Sequence, residues 1–191
     1  PTIAEAVFAR TLGAIKTERV AASQVLHGPE VSPWPERGAV LAQLRGAKMA
    51  AKVCAYAQGF ALLRAADREH QWQLPMAQVA QVWRAGCIIR AHLLEDIRRP
   101  YQHQADLPNL LVDPHFARVM ADSQQDLREV VAQAALHGVP MPAFMSALGY
   151  YDAYRSARLP ANLLQAQRDY FGAHTYQRTD RAGKFHTRWG A

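Results

Sequence analysis

Apolar residues recur every three or four positions along most of this chain, and this helical periodicity is the feature that most limits how it can fold. The clearest case is the stretch from residue 39 to 68, where Met49, Val53 and Phe60 fall on one helical face. Alternating patterns typical of strands are nearly absent. The sequence therefore predicts an all-α fold of helices that pack through their apolar faces.

Proline and glycine divide the rest of the chain into further helical segments. Residues 27 to 38 hold three prolines and two glycines and predict a loop. Asp113 before Pro114 predicts a helix start, because the aspartate can cap free N–H groups and proline has no N–H to leave unpaired. The expected helices cover residues 3 to 26, 39 to 68, 75 to the RRP sequence at 98–100, 114 to about 136, 142 to 158 and 160 to 171.

The chain after residue 172 differs from the preceding part. It is polar, contains Gly183 and Gly190, and shows no helical period. We therefore expect two parts, a multi-helix domain over residues 1–172 and an extended C-terminal tail over residues 173–191.

Composition and motifs argue against several functional classes. The 191 residues are half apolar, enough for one large domain, and the net charge of +6 comes from scattered residues instead of a basic tract. Cys54 and Cys87 are far apart, which argues against a disulfide framework. The sequence has no GxGxxG or Walker A loop, no histidines three or four residues apart, and no run of eighteen apolar residues. We expect a cytoplasmic protein without a metal site, a membrane span or its own dinucleotide-binding domain.

Two arginines interrupt apolar helical stripes. Arg168 shares a helical face with Leu164 and Phe171, and Arg10 falls in a similar stripe near the N-terminus. A buried guanidinium needs an anion, which can be a carboxylate of the same chain or an anionic ligand, and periodicity leaves both possibilities open. Phosphate suits the planar fork of a guanidinium, and His174 could supply another donor.

Five segments are distinctive in content and order: AEAVFAR (4–10), AYAQGFALLR (55–64), WRAGCIIR (83–90), LPANLLQAQRDYFGAHTY (159–176) and FHTRW (185–189). Together they resemble the C-terminal part of decarboxylating 6-phosphogluconate dehydrogenases. The resemblance covers essentially the whole chain, and five motifs in the right order are far more specific than any one of them.

This resemblance implies an activity and a subunit arrangement. Members of the family oxidise 6-phosphogluconate with NADP and decarboxylate the keto intermediate to ribulose 5-phosphate and carbon dioxide, in the pentose phosphate pathway. They are homodimers with an N-terminal Rossmann domain, a helical domain for substrate binding and dimerisation, and a tail that reaches into the partner subunit. They require neither metal nor flavin.

Three residues of the chain match family ligands of the substrate phosphate. Arg10, in the segment FAR, matches one such ligand. Arg168 and His174 match residues that reach the substrate from the neighbouring subunit. The resemblance therefore favours a phosphate ligand over an internal ion pair, and it implies that a lone protomer holds only half of the pocket.

The family's catalytic groups have no match in this chain. Its cofactor domain and the helix with its lysine base and glutamate acid precede the part that the chain resembles, as in a fragment or a truncated gene product. Lys52 lies near Tyr56 and Phe60 on one helical face, where it could act as a base or extend its stem along a core stripe. The family's helical domain is internally duplicated, and the segment AKVCAYAQGF (51–60) resembles the catalytic helix of the half that precedes this chain. In this segment Gly59 stands at the position that matches the family's acid. We expect no catalytic residue here, no dehydrogenase activity from this chain alone, and NADP bound mainly by the family's N-terminal domain.

Two other functional classes remain open. One is a non-catalytic helical assembly or regulatory module that uses the same helices and tail to bind a partner. The other is a basic nucleic-acid binder, which the scattered distribution of arginines favours less.

Overall fold

The computed structural model describes residues 2–30, 33–84 and 92–190. These ranges are helical apart from loops and one isolated antiparallel bridge between Tyr176 and Phe185, which confirms the all-α class. The chain forms two units, Pro1–Tyr151 and Asp152–Ala191, while the division expected at residue 172 stays a prediction. The helices are α1 (Thr2–Ala14), α2 (Lys16–Ala22), α3 (Arg37–His70), α4 (Met76–Val82), α5 (Leu93–His103), α6 (Pro114–Leu136), α7 (Pro142–Arg155) and α8 (Asn162–Gly172).

The core of the larger unit lies between α3 and α6. Small residues on α3 are fully buried, so the two helices approach closely, and larger apolar side chains fill the space around them. Phe60 of α3 packs its ring against those of Trp83 and Tyr101, at centroid distances of 5.7 and 5.2 Å. The buried residues at this contact include Ala47, Ala50, Val53, Cys54, Ala57, Phe116, Met120 and Leu127.

The longest helix, α3, agrees with the expected stretch of residues 39 to 68. Glu36 caps its start by accepting a hydrogen bond from the N–H of Ala39 at 3.0 Å. The helix ends where Gln71 adopts a left-handed conformation, with φ of 55°. Neither α3 nor another helix in the described ranges is long and apolar enough to cross a membrane.

The expected helix over residues 3 to 26 is wrong as one continuous element. The backbone breaks at Ile15, with φ of −89° and ψ of 51°, and separates α1 from α2. The start of α1 is fixed to α3, since the N–H of Thr2 donates to Oε1 of Gln58 at 2.9 Å and Nε2 of Gln58 donates to Oγ1 of Thr2 at 2.8 Å. The apolar side chains farther along α1 stay exposed, with Phe8 at 63%. Periodicity identified a helix here but not a buried face.

The expected single helix from Pro75 to the region of Pro100 is also wrong. α4 ends at Val82 and α5 begins at Leu93, and the two helices pack against each other. Cys87, which the helical pattern places on the inward face, lies outside the described residues.

α5 continues beyond its expected end. Pro100 lies inside the helix and is buried, and the helix runs on to His103. Proline removes one helical hydrogen bond, but burial of Pro100 and Tyr101 in the core offsets that loss. Tertiary packing thus overrides a local stop signal.

The predicted start of α6 is confirmed. Oδ1 of Asp113 accepts hydrogen bonds from the N–H groups of His115 and Phe116 at 3.0 and 3.2 Å. α7 and α8 also follow the expected segments, although α7 ends three residues earlier than residue 158, at Arg155.

Gly46 marks the close approach of α3 and α6, because a Cβ at this position would overlap the carboxylate of Asp126. We expect Gly46→Ala to lower the free energy of unfolding by about 1 kcal/mol or more, since this overlap outweighs a gain in helix propensity of about 0.5–1 kcal/mol. Chemical denaturation followed by circular dichroism measures the change.

Asp126→Ala provides the matched background, because it removes the overlapping carboxylate. There, Gly46→Ala should raise the free energy of unfolding by about 0.5–1 kcal/mol through helix propensity alone. Equal destabilisation in both backgrounds would show that the Asp126 side chain does not limit the approach of the helices.

Candidate functional site

The smaller unit is built on α8 and the segment that follows it. α8 ends where Ala173 adopts a left-handed conformation, with φ of 51°, and Thr175 is left-handed as well, with φ of 60°. The chain then folds back on itself: the N–H of Tyr176 donates to the carbonyl of Phe185, and the N–H of Phe185 donates to that of Tyr176, both at 2.8 Å. The tail therefore has an ordered path of its own.

Asp169 fastens this tail to α8. Its side chain is fully buried. Oδ1 accepts from the N–H of Thr175 at 3.0 Å and pairs with Nδ1 of His186 at 2.9 Å. Oδ2 accepts from the N–H of Thr187 at 2.9 Å and from Nε1 of Trp189 at 3.0 Å. One carboxylate thus joins the end of α8 to two separate stretches of the tail.

The electrostatic state of Asp169 follows from these contacts. Burial acts to raise the pKa of its carboxyl, but hydrogen bonds from the Thr187 N–H, the His186 ring and the Trp189 indole act in the opposite direction and hold the pKa of Asp169 at about 2. The group is therefore an ionised, fully hydrogen-bonded carboxylate at neutral pH.

His174 lies inside the segment that Asp169 secures. The N–H of Ala173 donates to the carbonyl of Asp169 at 2.9 Å, and the N–H of Thr175 donates to its carboxylate. The imidazole lies over Gly172, since a Cβ there would be 2.8 Å from Nε2 of His174. His174 is exposed at the end of α8, in a position set by its two neighbours.

Arg168 is exposed, which corrects the expectation that its helical stripe would be buried. The flanking residues are exposed too, with Phe171 at 75%. In the part of the chain that the structure describes, its guanidinium has no hydrogen-bond or ion-pair partner. The internal ion pair considered for Arg168 is therefore not formed there, and the buried charge in α8 belongs to the next residue, Asp169.

Arg10 belongs to the larger unit, on α1, and it is exposed as well. Its guanidinium also has no hydrogen-bond or ion-pair partner within residues 2–30, 33–84 and 92–190. All three predicted phosphate ligands are thus accessible to solvent. Arg168 and His174 lie in the same unit, at the end of α8 and just beyond it.

A cleft of about 470 Å³ in the smaller unit does not include the predicted ligands. Arg158, Gln165 and Trp189 contribute to its walls, together with the Arg178–Asp180 ion pair, whose atoms lie 2.6 Å apart. Arg168 and His174 lie outside this cleft, on open surface.

The other candidate groups offer no assembled chemistry. Lys52 is half-buried on α3, and a Cβ at Gly59 would meet open space, with no heavy atom within 4 Å. Among the described residues, no three His, Cys, Asp or Glu side chains are close enough together to hold a metal ion.

Asp169 is the residue that sequence reasoning missed. It sits beside the conspicuous Arg168, and helical periodicity gives no sign that it is buried. Its partners His186, Thr187 and Trp189 all lie in the segment FHTRW, which is one of the five distinctive segments. The presence of a distinctive segment in an otherwise polar tail was the available signal that a buried group binds it.

Acid should loosen the tail from α8. The pKa of an unperturbed aspartate is 3.8 and that of Asp169 is about 2, so the stabilisation from its ionised form is complete above pH 3.8 and is lost as the pH falls through about 2. Trp189 fluorescence should report this transition.

Asp180 provides the control, because it is paired with Arg178 and also has a pKa of about 2. The transition should persist in Asp180→Asn and disappear in Asp169→Asn, and its persistence in the latter would contradict the assignment.

Comparison with known proteins agrees with the resemblance. The family model for the C-terminal domain of 6-phosphogluconate dehydrogenase matches residues 1–189. A decarboxylating 6-phosphogluconate dehydrogenase of Salmonella typhimurium is 51% identical over 187 residues, which are 98% of this chain and 40% of the relative. The NADP(+)-dependent, decarboxylating enzyme of Bacillus subtilis is 52% identical over 190 residues, 99% of this chain and 40% of that relative.

The fold agrees with a solved structure as well. The 6-phosphogluconate dehydrogenase of Plasmodium falciparum aligns with a TM-score of 0.90 and 37% identity, over 99% of this chain and 41% of that one. This chain therefore spans about 40% of the length of the curated relatives it matches. The match of nearly every residue to one family model and the shared helical architecture lead to one conclusion: the chain belongs to the 6-phosphogluconate dehydrogenase family and corresponds to its C-terminal domain.

Proposed function

We propose that this chain is the C-terminal part of an NADP-dependent, decarboxylating 6-phosphogluconate dehydrogenase and that it binds the phosphate of 6-phosphogluconate. The observation that carries this proposal is the pair of exposed donors at the end of α8. Arg168 has no partner among the described residues, and His174 is held nearby in the chain by a buried carboxylate. Exposed donors without protein partners are available to an anionic ligand.

Phosphate is the anion that suits these groups. A guanidinium presents a planar fork of N–H donors that can bind two phosphate oxygens at once, and an imidazole can donate to a third. A gluconate chain without phosphate would offer these donors only hydroxyl groups and one carboxylate. The phosphate therefore fixes the orientation of the substrate by one end.

A homodimer would complete the site. In the proposed enzyme Arg10 binds the phosphate from one chain, and Arg168 and His174 of the neighbouring chain, whose tail is exchanged, reach the same phosphate. Exposed apolar side chains support a protein contact along α8, with Leu163 at 84% and Phe171 at 75%. Exposed apolar residues along α1, among them Ile3, Val7 and Leu12, support a second such contact beside Arg10.

The reaction we propose for the whole enzyme is oxidation of 6-phosphogluconate followed by loss of carbon dioxide to give ribulose 5-phosphate. NADP would accept the hydride. This chain contains no glycine-rich dinucleotide loop, so none of its residues is assigned to NADP and no proton-transfer step is assigned to Lys52. Its role is to bind and orient the substrate.

Arg168→Ala should weaken binding of 6-phosphogluconate to this chain by about tenfold or more, because a hydrogen bond to a charged group contributes about 1.5–3 kcal/mol. Isothermal titration calorimetry on the dimer, confirmed by sedimentation, measures the affinity. Arg158→Ala is the matched control, since it removes an exposed arginine from the same unit and should leave the affinity unchanged. Equal affinities for Arg168→Ala and the unmodified dimer would contradict the assignment, as would a dimer that binds no 6-phosphogluconate.

A preparation of these 191 residues should not reduce NADP when 6-phosphogluconate is added, because neither the family's cofactor site nor its proton-transfer groups are matched in the sequence. The absorbance of NADPH measures turnover, with the Bacillus subtilis relative as positive control. Steady NADPH production by purified material would show that catalytic groups exist in this chain after all.

A further inference from the structure

The geometry points to Asp169 as a positioning residue for His174, which it holds in place for the substrate phosphate through hydrogen bonds to the segment carrying this histidine. The inference rests on the proposed function and adds to it a residue that does not itself touch the ligand. It gives the buried carboxylate of α8 a role in supporting the binding site from behind the residues that contact the ligand.

Hydrogen bonds to Asp169 bracket His174 along the backbone. The preceding residue, Ala173, donates its N–H to the carbonyl of Asp169 at 2.9 Å, and the following residue, Thr175, donates its N–H to Oδ1 at 3.0 Å. Gln165, one turn earlier on α8, donates from Nε2 to the carbonyl of Thr175 at 2.5 Å. Only one residue lies between the two bracketing bonds, so they fix where His174 leaves the helix.

The backbone on either side of His174 adopts an unfavourable conformation that needs support from other contacts. Ala173 and Thr175 both have positive φ, at 51° and 60°, a conformation that residues with a Cβ rarely adopt and that is least favourable for β-branched threonine. Local preferences alone would not keep this course. The hydrogen bonds that join α8 to the N–H and the carbonyl of Thr175 stabilise this conformation.

The hydrogen-bond partners of Asp169 require a carboxylate in particular at this position. Oδ1 faces the Thr175 N–H and Nδ1 of His186, and Oδ2 faces the Thr187 N–H and Nε1 of Trp189. With the proton of His186 on Nδ1, all four partners are donors. An amide would turn its NH₂ group toward two of them in either orientation. Because both oxygens are occupied, Asp169 acts on the ligand only through the residues it holds.

The test is a set of double-mutant cycles in this 191-residue chain. Binding of 6-phosphogluconate and of inorganic phosphate is followed by phosphorus NMR for Asp169→Asn, His174→Ala, Arg168→Ala and the two double variants that contain Asp169→Asn. We expect Asp169→Asn and His174→Ala each to weaken binding about tenfold and their combination to be no weaker than His174→Ala alone. The effect of Arg168→Ala should instead add to that of Asp169→Asn, because Arg168 sits within α8 itself.

The control and the fallback variant use residues of the same unit. Asp180→Asn removes another carboxylate with a pKa of about 2, which pairs with Arg178 in the tail, and should leave binding unchanged. Hydrogen exchange at the Thr187 amide shows whether the tail stays folded. If Asp169→Asn releases the tail, Gln165→Ala is the second variant, because it removes the hydrogen bond to the Thr175 carbonyl and leaves the bonds from Asp169 to residues 186–189 in place. Gln165→Ala should likewise have no further effect on binding once His174 is replaced by alanine.

The outcomes separate this inference from the proposed function. Loss of binding in His174→Ala but not in Asp169→Asn overturns the positioning role and leaves the phosphate site in place. Additive losses for Asp169→Asn and His174→Ala also overturn it, since Asp169 would then act independently of the histidine. If neither Arg168→Ala nor His174→Ala weakens binding, the phosphate site itself is refuted and the positioning role with it.

Discussion

The packing of α3 on α6 is the interaction on which the larger unit depends. Alanines at the contact and Gly46 let the two helices approach, and Phe60, Phe116 and Leu127 fill the core around them. α1, whose second half carries Arg10, is fixed to α3 at its start through the hydrogen bonds between Thr2 and Gln58. A proposed substrate ligand therefore takes its place from a contact made far from it in the sequence.

The smaller unit depends on a different force. It buries few large side chains in the described residues, and Asp169 organises it through hydrogen bonds to two separate stretches of the tail. Burying a carboxylate costs free energy unless its oxygens accept hydrogen bonds. The four donors that bind Asp169 offset this cost, and because three of them belong to residues 186–189, they also determine the path of the tail. In the proposed site, the buried carboxylate of Asp169 and the exposed side chains of Arg168 and His174 would therefore act together to bind phosphate.

Exposed apolar faces connect the structure to the proposed dimer. Phe8 on α1 and Leu163 and Phe171 on α8 have the spacing of core residues but remain largely in solvent. In a protein that works alone, such stripes would be an aggregation liability. In the proposed enzyme they are covered by a neighbouring chain. Two of the phosphate ligands, Arg10 and Arg168, lie on the same helices, so assembly and substrate binding would be achieved by the same contacts.

The sequence by itself determined the all-α class, the extent of α3, the Asp113 cap of α6 and, through five ordered segments, the family. These features are encoded by residues close together in the chain. Tertiary structure decided the break at Ile15, the continuation of α5 through Pro100, the exposure of Arg168 and the burial of Asp169. Periodicity reports which side of a helix is apolar, but burial depends on what packs against that side. The partners of Asp169 lie up to twenty residues away along the tail, beyond the reach of any helical repeat.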